Sequence, residues 1–204
     1  MRRLLVNARM RPLLLGLGCL SLAACSPPEV ASPPTVPRAA LVLKDGLLYR
    51  PAQSAPFTGI VVERYPAGQM QSLSVISNGL LHGLSEGWHT NGTLQVREHF
   101  IAGKSHGTRT KWYPNGAKLS EATIVEGRLH GTFCRWHENG VLAEEIELRE
   151  DQPSGLSLAY YPSGCLKVRA RIENGKFIGK ETFKDGEMKG LPVVVAADAA
   201  KPKS

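Results

Sequence analysis

The sequence lacks the short motifs that mark most catalytic centres. It contains no glycine-rich phosphate-binding loop, no paired-carboxylate site and no serine-nucleophile elbow. These absences favour a protein that is not an enzyme and that carries no cofactor and no metal ion. An enzyme acting on cell-wall glycan is the alternative, and it would require a clustered pair of acidic side chains.

Cysteine is scarce, which argues against a scaffold held together by disulfides. The chain has four cysteines, and two of them lie within the first 25 residues. The other two, Cys134 and Cys165, fall three strands apart in the hairpin arrangement deduced below, or about 14 Å at the usual strand spacing. A disulfide needs α-carbons within about 7 Å of each other. We therefore predict two free thiols, and no nucleophilic role for either, because no Cys–His–Asp pattern accompanies them.

No apolar run is long enough to cross a membrane as a helix. An arginine-bearing start leads into the short run PLLLGLGCLSLAA at residues 12–24. The stretch LAAC (Leu22–Cys25) resembles the lipobox of bacterial lipoproteins. That resemblance implies that residues 1–25 are a lipoprotein signal segment and that acyl chains on Cys25 anchor the protein in a membrane. Ser26 after the cysteine implies the outer membrane, facing the periplasm; the inner membrane and the cell surface are the alternatives.

The basic net charge reflects the N-terminus and not a nucleic-acid-binding surface. The formal net charge is +7 at pH 7. Four of the arginines lie in the signal segment: Arg2, Arg3, Arg9 and Arg11. Removing these four lowers the charge from +7 to +3, so we expect no nucleic-acid partner.

A proline-rich segment follows the signal. Residues 26–40, SPPEVASPPTVPRAA, contain five prolines. Because proline fixes φ and favours polyproline II, this composition predicts a semi-rigid tether about 45 Å long, with no packed structure.

A spacing of 24 residues dominates the rest of the chain. Glycines recur at this interval in three registers: 59, 83, 107, 131, 155 and 179; 68, 92, 116, 140 and 164; and 79, 103, 127 and 175. Self-similarity at such a period indicates a repeat array. We assign the repeat domain to residues 41–190, with copies starting near 59, 83, 107, 131 and 155 and a partial copy near 179. Residues 191–204 are expected to form a mostly disordered tail, in which LPVVV is the one segment suited to a short strand.

Each copy is predicted to form one β-hairpin. In the copy that starts near residue 107, TRTKWY alternates as a strand, PNG turns, and AKLSEATIV alternates again. A three-residue loop of this type places Tyr113 opposite Ala117 and Trp112 opposite Lys118. Every loop ends in a glycine that supplies the required positive φ: Gly68, Gly92, Gly116, Gly140 and Gly164.

The loop geometry predicts which side chains share a face of the sheet. One face carries an aromatic column of Trp88, Trp112, Trp136 and Tyr160. We predict that the same face collects Leu84, Val96, Ile146, Leu156, Leu158 and Val168. The opposite face is predicted to be polar, with Arg97, Glu121, Arg135, Glu145, Lys167 and Arg169. The predicted fold is all-β: an elongated, single-layer, twisted antiparallel meander of stacked 24-residue β-hairpin repeats.

The hairpin unit resembles a known repeat. The recurring unit consists of WYPNG or a near relative, then an acidic residue and a glycine, and then HG. It is similar to the variant MORN repeat of bacterial proteins. Proteins with this repeat are often labelled as the YwqK-type antitoxin component. The segment LKDGLLYRPAQSAPFTG (Leu43–Gly59) also resembles the start of such arrays. The resemblance covers about Leu43–Gly190 and implies an elongated sheet of stacked hairpins. Asp151 stands where this pattern has a turn glycine, so we expect a distorted turn there.

Histidines recur in two registers, but their spacing does not favour a metal site. One register holds His82, His106 and His130, and the other holds His89 and His137. Successive copies lie about 9–10 Å apart, too far for three of these side chains to bind one zinc ion. We interpret the histidines as residues that flank turns.

The aromatic column is the candidate functional site. One predicted role is structural: the rings pack on one another and hold neighbouring copies together. The other is a docking strip for a protein or ligand, because a single-layer sheet has no second layer to cover its apolar face. The two roles are compatible. A weaker second stripe consists of Tyr65, His89, Tyr113, His137 and Tyr161. We expect a non-enzymatic outer-membrane lipoprotein whose repeats form a protein-interaction platform in the cell envelope. The alternative, which the resemblance implies, is an antitoxin or immunity component that neutralises a partner toxin.

Overall fold

The computed structural model describes residues 32–173 and 175–187, and these residues are almost entirely β-structure. The signal segment with Cys25, and the tail at 191–204, lie outside the described residues. One 3₁₀ turn covers Arg38–Ala40. The strands are β1 Thr35–Pro37, β2 Val42–Lys44, β3 Leu47–Tyr49, β4 Gly59–Arg64, β5 Met70–Ser77, β6 Leu80–Trp88, β7 Leu94–Ile101, β8 Lys104–Ser105, β9 Gly107–Trp112, β10 Lys118–Val125, β11 Arg128–Leu129, β12 Gly131–Trp136, β13 Leu142–Arg149, β14 Gln152–Tyr160, β15 Leu166–Glu173 and β16 Lys176–Thr182.

The strands form one long sheet in the order in which they occur along the chain. Its order is β1-β4-β5-β6-β7-β9-β10-β12-β13-β14-β15-β16, with β8 attached to β7 and β11 to β10. From β4 onwards every pairing is antiparallel, which confirms the predicted meander of consecutive hairpins. The exception is β1, which pairs with β4 in parallel. Strands β2 and β3 form a separate two-stranded sheet.

The three-residue loops that connect the strands have the predicted geometry. The Tyr113 N–H donates to the Ala117 carbonyl at 2.8 Å, and the Gly116 N–H donates to the Tyr113 carbonyl at 2.9 Å. Gly116 has a φ of +84°, in the left-handed region that favours glycine. Trp112 then pairs with Lys118, as predicted. The corresponding pairs in other copies are also confirmed: Trp88 with Leu94, Trp136 with Leu142, and Tyr160 with Leu166.

A β-bulge follows these pairs in every copy. The side chains after the bulge therefore lie on the face opposite to the one predicted for them. In β10 the register skips one residue between Lys118 and Ser120, and Ser120 then pairs with Lys111. The unpaired residues again recur every 24 positions: Gln71, Gln95, Leu119, Ala143 and Lys167. Because side chains alternate along a strand, one extra residue moves all later side chains to the other face.

The predicted split into an apolar and a polar face is therefore wrong. We call the face that carries Trp88, Trp112, Trp136 and Tyr160 the ring face, and the opposite one the aliphatic face. The register places three residues predicted for the ring face on the aliphatic face: Val96, Ile146 and Val168. It places four residues predicted for the polar face on the ring face: Arg97, Glu121, Glu145 and Arg169. Lys167, also predicted for the polar face, is itself a bulge residue.

The aliphatic face carries its own apolar column, again at a spacing of 24 residues. Its members are Ile76, Phe100, Ile124, Leu148 and Ile172. Each of them pairs with a glycine of the first register: Gly59, Gly83, Gly107, Gly131 and Gly155, in that order. Ile76 and Ile124 are each only 2% exposed. Ile172 is also buried, at 5% exposed, whereas Phe100 and Leu148 are half-buried. The sequence prediction missed this second column.

The turns at the far end of the hairpins bond to one another across successive copies. Three turn glycines donate an N–H to a backbone carbonyl 22 residues earlier in the chain, each at 2.8 Å: Gly79 to Phe57, Gly103 to Leu81, and Gly127 to Ser105. Asp151 takes the place of the glycine in the next copy and keeps the same bond, to the Leu129 carbonyl at 3.0 Å. Its carboxylate also accepts from the Leu129 N–H at 2.7 Å. The distortion expected at Asp151 is therefore absent, because aspartate adopts a φ of +66° and supplies its own bond.

The N-terminal edge of the sheet is closed by part of the proline-rich segment. Thr35–Pro37 forms β1, whose Val36 pairs with Val61, and Leu41 just beyond it is buried. The prediction that residues 26–40 have no packed structure is thus wrong for Thr35–Ala40. Gly59 makes room for this strand, because a Cβ there would collide with the carbonyl oxygen of Pro34.

Candidate functional site: the ring face

The four predicted aromatic residues lie in one row on the ring face. Each of them is the last residue of the first strand in its hairpin. A continuous series of pairs places them on the same side: Glu86 with Arg97, Arg97 with Thr110, Thr110 with Glu121, Glu121 with Cys134, Cys134 with Glu145, and Glu145 with Leu158. Glu86, Thr110, Cys134 and Leu158 each lie two residues before a ring of the row.

The row differs in burial along its length. Trp136 is 6% exposed and Tyr160 is 8% exposed, and both belong to a buried cluster completed by Leu142, Leu158 and Leu166. Trp88 and Trp112 are only half-buried. The C-terminal half of the row is therefore structural core, while its N-terminal half is accessible to a partner.

A fifth aromatic residue, Phe183, extends the row and was missed by the sequence prediction. It packs against the cluster formed by Trp136 and Tyr160. The Tyr161 hydroxyl donates to the Phe183 carbonyl at 3.1 Å, just as the Tyr113 hydroxyl donates to the Trp136 carbonyl at 2.9 Å. The sequence signal is FKDG, an aromatic residue before a turn, but the last copy is one residue shorter and so falls outside the spacing of 24.

Charged side chains lie directly beside the rings, and the bulge moves two of them, Arg97 and Glu121, to this face. Arg97 and Glu86 form an ion pair at 2.7 Å beside Trp88. Lys118 pairs with Glu121 at 2.9 Å, and its ammonium group lies 5.1 Å from the ring centroid of Trp136, where a cation–π attraction operates. The ring face therefore combines an aromatic row with a parallel row of charges.

Two ionisable groups of the buried cluster, the Cys134 thiol and the Tyr160 hydroxyl, have raised pKa values. Burial raises the pKa of the Cys134 thiol, and the carboxylates of Glu145 and Glu121 raise it further. Burial also raises the pKa of the Tyr160 hydroxyl, with a second contribution from Glu145. Cys134 is thus a protonated thiol at neutral pH, which does not act as a nucleophile. Cys134 and Cys165 are both free, as predicted, with Cys134 on β12 and Cys165 just before β15.

The second predicted stripe connects successive copies. Tyr65, His89, Tyr113, His137 and Tyr161 each bond through the side chain to a backbone carbonyl in the next copy: Trp88, Trp112, Trp136, Tyr160 and Phe183, at 2.7–3.1 Å. Asn91 and Asn139 make equivalent bonds to the carbonyls of Pro114 and Pro162, both at 2.8 Å. These contacts give the stripe a structural role, because they hold each loop against the next.

The remaining predicted site residues are turn glycines and Cys25. Gly68, Gly92, Gly116, Gly140 and Gly164 all have positive φ, between 81° and 95°. Cys25 lies outside the described residues. In the part of the chain that the structure describes, no group of three or more His, Cys, Asp or Glu side chains could hold a metal ion. Over the same residues, no helix is long and apolar enough to span a membrane.

The fold and its periodic contacts define a β-hairpin repeat protein. The sequence model of the MORN repeat variant matches residues 81–102 and 129–149. The first match covers most of β6 and all of β7, and the second covers β12 and β13. These two matches support a MORN-repeat protein. No curated protein matches the chain.

Proposed function

We propose that the protein is a non-enzymatic, lipid-anchored interaction platform in the bacterial cell envelope, held in the outer membrane and facing the periplasm. MORN repeats often serve as modules that bind proteins or membranes. The observation that carries the proposal is the accessible N-terminal half of the ring row. An exposed apolar patch with aromatic residues at its centre is typical of a protein-binding surface.

The proposed binding surface is an open patch on the ring face of the first copies. It consists of six half-buried apolar side chains: Val62, Leu73, Leu84, Trp88, Leu94 and Trp112. Val62 pairs with Leu73, and Leu73 pairs with Glu86, which lies between Leu84 and Trp88 on the ring face. Trp88 pairs with Leu94, so the patch extends from β4 to β7 on this face, and Trp112 adds to it from β9. The Arg97–Glu86 ion pair beside Trp88 supplies charges that fix the orientation of a partner more than its affinity.

Removal of two rings is expected to weaken partner binding by about thirtyfold or more. The full-length chain carrying Trp88→Ala and Trp112→Ala loses the largest side chains of the open patch. An interface tryptophan often contributes about 2 kcal/mol or more to the free energy of binding, and losing that amount lowers the affinity about thirtyfold. The measurement is capture of envelope proteins by the wild-type and variant chains, followed by titration of each captured partner. Leu43→Ala is the matched control, because Leu43 is 64% exposed and lies on β2, away from the patch. A folded double variant that binds the same partners with unchanged affinity would rule out the open patch.

The proposed anchor is tested at Cys25. We expect Cys25→Ser to move the protein from the membrane fraction to the soluble fraction and to prevent labelling by a radioactive fatty acid. Ser26→Asp is the control for position, because it leaves the acylated residue in place and changes only the sorting signal. A Cys25→Ser variant that stays in the membrane fraction would contradict the anchor.

An antitoxin or immunity role is the second candidate. The WYPNG-type hairpins and the segment Leu43–Gly59, which resemble the YwqK-type arrays, favour it. An acylated and exported chain reaches a toxin only at the envelope, so this role requires an exported toxin. A toxin-like gene beside this one, with growth arrest when only the toxin is expressed, would favour this role over a general platform.

A further inference from the structure

Three of the hairpin loops contain an asparagine directly before the loop glycine. The backbone is alike in all three, since the glycine φ lies between 81° and 84° and each glycine N–H donates to a loop carbonyl at 2.9 Å. A Cβ placed on any of these glycines would meet no atom within 4 Å, so their backbone is accessible. All three asparagines are exposed. The pairs are Asn91–Gly92, Asn115–Gly116 and Asn139–Gly140.

The asparagine of the first of these loops is held by three hydrogen bonds. The Asn91 carboxamide nitrogen donates to the Pro114 carbonyl at 2.8 Å. Its oxygen accepts from the Thr93 N–H at 3.1 Å and from the Thr93 hydroxyl at 2.7 Å. The Asn91 side chain is therefore fixed at both of its polar atoms.

The other two asparagines are held less firmly. Asn139 keeps two of these bonds, to the Pro162 carbonyl at 2.8 Å and from the Val141 N–H at 3.1 Å. Asn115 keeps one, since its oxygen accepts from the Ala117 N–H at 2.9 Å and its nitrogen donates to none of the described residues. The Asn115 carboxamide is thus the easiest of the three to turn away from its position.

We propose that Asn115 is a site of spontaneous deamidation, which converts it to aspartate and isoaspartate. Glycine has no side chain to hinder an attack by its backbone nitrogen. The Gly116 nitrogen bonds to the side-chain carbonyl carbon of Asn115, and the amide group leaves as ammonia, which carries away the proton of the glycine nitrogen. Water then opens the resulting five-membered imide at either carbonyl, so no oxidant or reductant is needed.

The conversion changes the loop that positions Trp112. Trp112 pairs with Lys118 across this loop, and the loop length sets that pairing. Either product adds a negative charge, and isoaspartate also lengthens the backbone by one carbon atom. The accessible half of the ring row would therefore change as the protein ages. The effect on a partner rests on the proposed function, whereas the conversion itself does not.

The test follows the full chain during incubation at mildly alkaline pH, by mass spectrometry of its tryptic peptides. Cleavage after lysine and arginine places Asn115 in residues 112–118, Asn139 in 136–149 and Asn91 in 65–97, where fragment ions separate it from Asn78. We expect Asn115 to convert about fivefold faster than Asn139, the factor that corresponds to one hydrogen bond, and Asn91 to be the slowest. In the chain unfolded by urea the three rates should converge, because the loop bonds are absent.

Thr93→Val is the matched variant, because it leaves Asn91 with the set of bonds that Asn139 has beside Val141. It should raise the rate at Asn91 about fivefold. Folded protein in which Asn115 converts no faster than Asn139 would overturn the proposal. So would an order of rates that persists in urea, or a rate at Asn91 that Thr93→Val leaves unchanged. None of these readouts involves a partner or the lipid anchor, so their failure leaves the proposed function standing.

Discussion

Trp136→Ala is expected to lower the free energy of unfolding by about 3–5 kcal/mol, which is a large fraction of the stability of a domain of this size. Trp136 is 6% exposed and packs among Leu142, Leu158, Tyr160 and Leu166, so its removal leaves a cavity at the centre of the cluster. Its indole N–H has no hydrogen-bond partner among the described residues. The expected loss is therefore one of packing and of the attraction to Lys118.

Trp88→Ala provides the matched control for Trp136→Ala, because both residues occupy the same position in their hairpins. Trp88 is only half-buried, so truncation leaves less of a cavity and should cost less than half as much. Urea denaturation followed by tryptophan fluorescence and by circular dichroism measures both variants. Equal losses of stability for the two variants would contradict the division of the ring row into a core half and an accessible half.

The repeat length, the loops and the ring pairs could be predicted because each has a local chemical signature. A glycine is needed at the end of each loop. The loop length then fixes which residues of the two flanking strands lie opposite each other in the first two pairs. Trp112 opposite Lys118 follows from PNG alone. The ring row itself follows from these pairs, since its members occupy the same position in every hairpin.

The bulge could not be predicted from these signals. The extra residue is Gln, Gln, Leu, Ala or Lys in successive copies, so no residue type marks it. It arises from the twist of the sheet and from the fit between neighbouring strands, which depend on the whole array. The second column was missed for the same reason, because the bulge must be known before Ile124 can be assigned to the aliphatic face.

Phe183 and β1 show a different limit of the sequence prediction. Both lie at the ends of the array, where the terminal copies are altered to close it. Phe183 is displaced by one residue from the common spacing, and Val36 belongs to a proline-rich segment whose composition favours an extended tether. In each case contacts with the array determine the structure, and those contacts have no periodic counterpart in the sequence.

Ile124→Ala tests the second column directly, and we expect it to lower the free energy of unfolding by about 2–5 kcal/mol. Ile124 is 2% exposed and pairs with Gly107 and Leu129 on the aliphatic face. Alanine there leaves a cavity between β10 and the turn that β11 forms, while the backbone pairing is kept. Urea denaturation of the full chain measures the loss.

Val125→Ala is the control, because the neighbouring residue points to the other face and is 43% exposed. We expect it to change the free energy of unfolding by about 0.5 kcal/mol or less. The two variants together report the register of β10 after the bulge at Leu119. If Val125→Ala were the more costly change, the strand would lack the bulge and the faces would revert to those predicted from the loops alone, since a slip of one residue exchanges every side chain between the two faces.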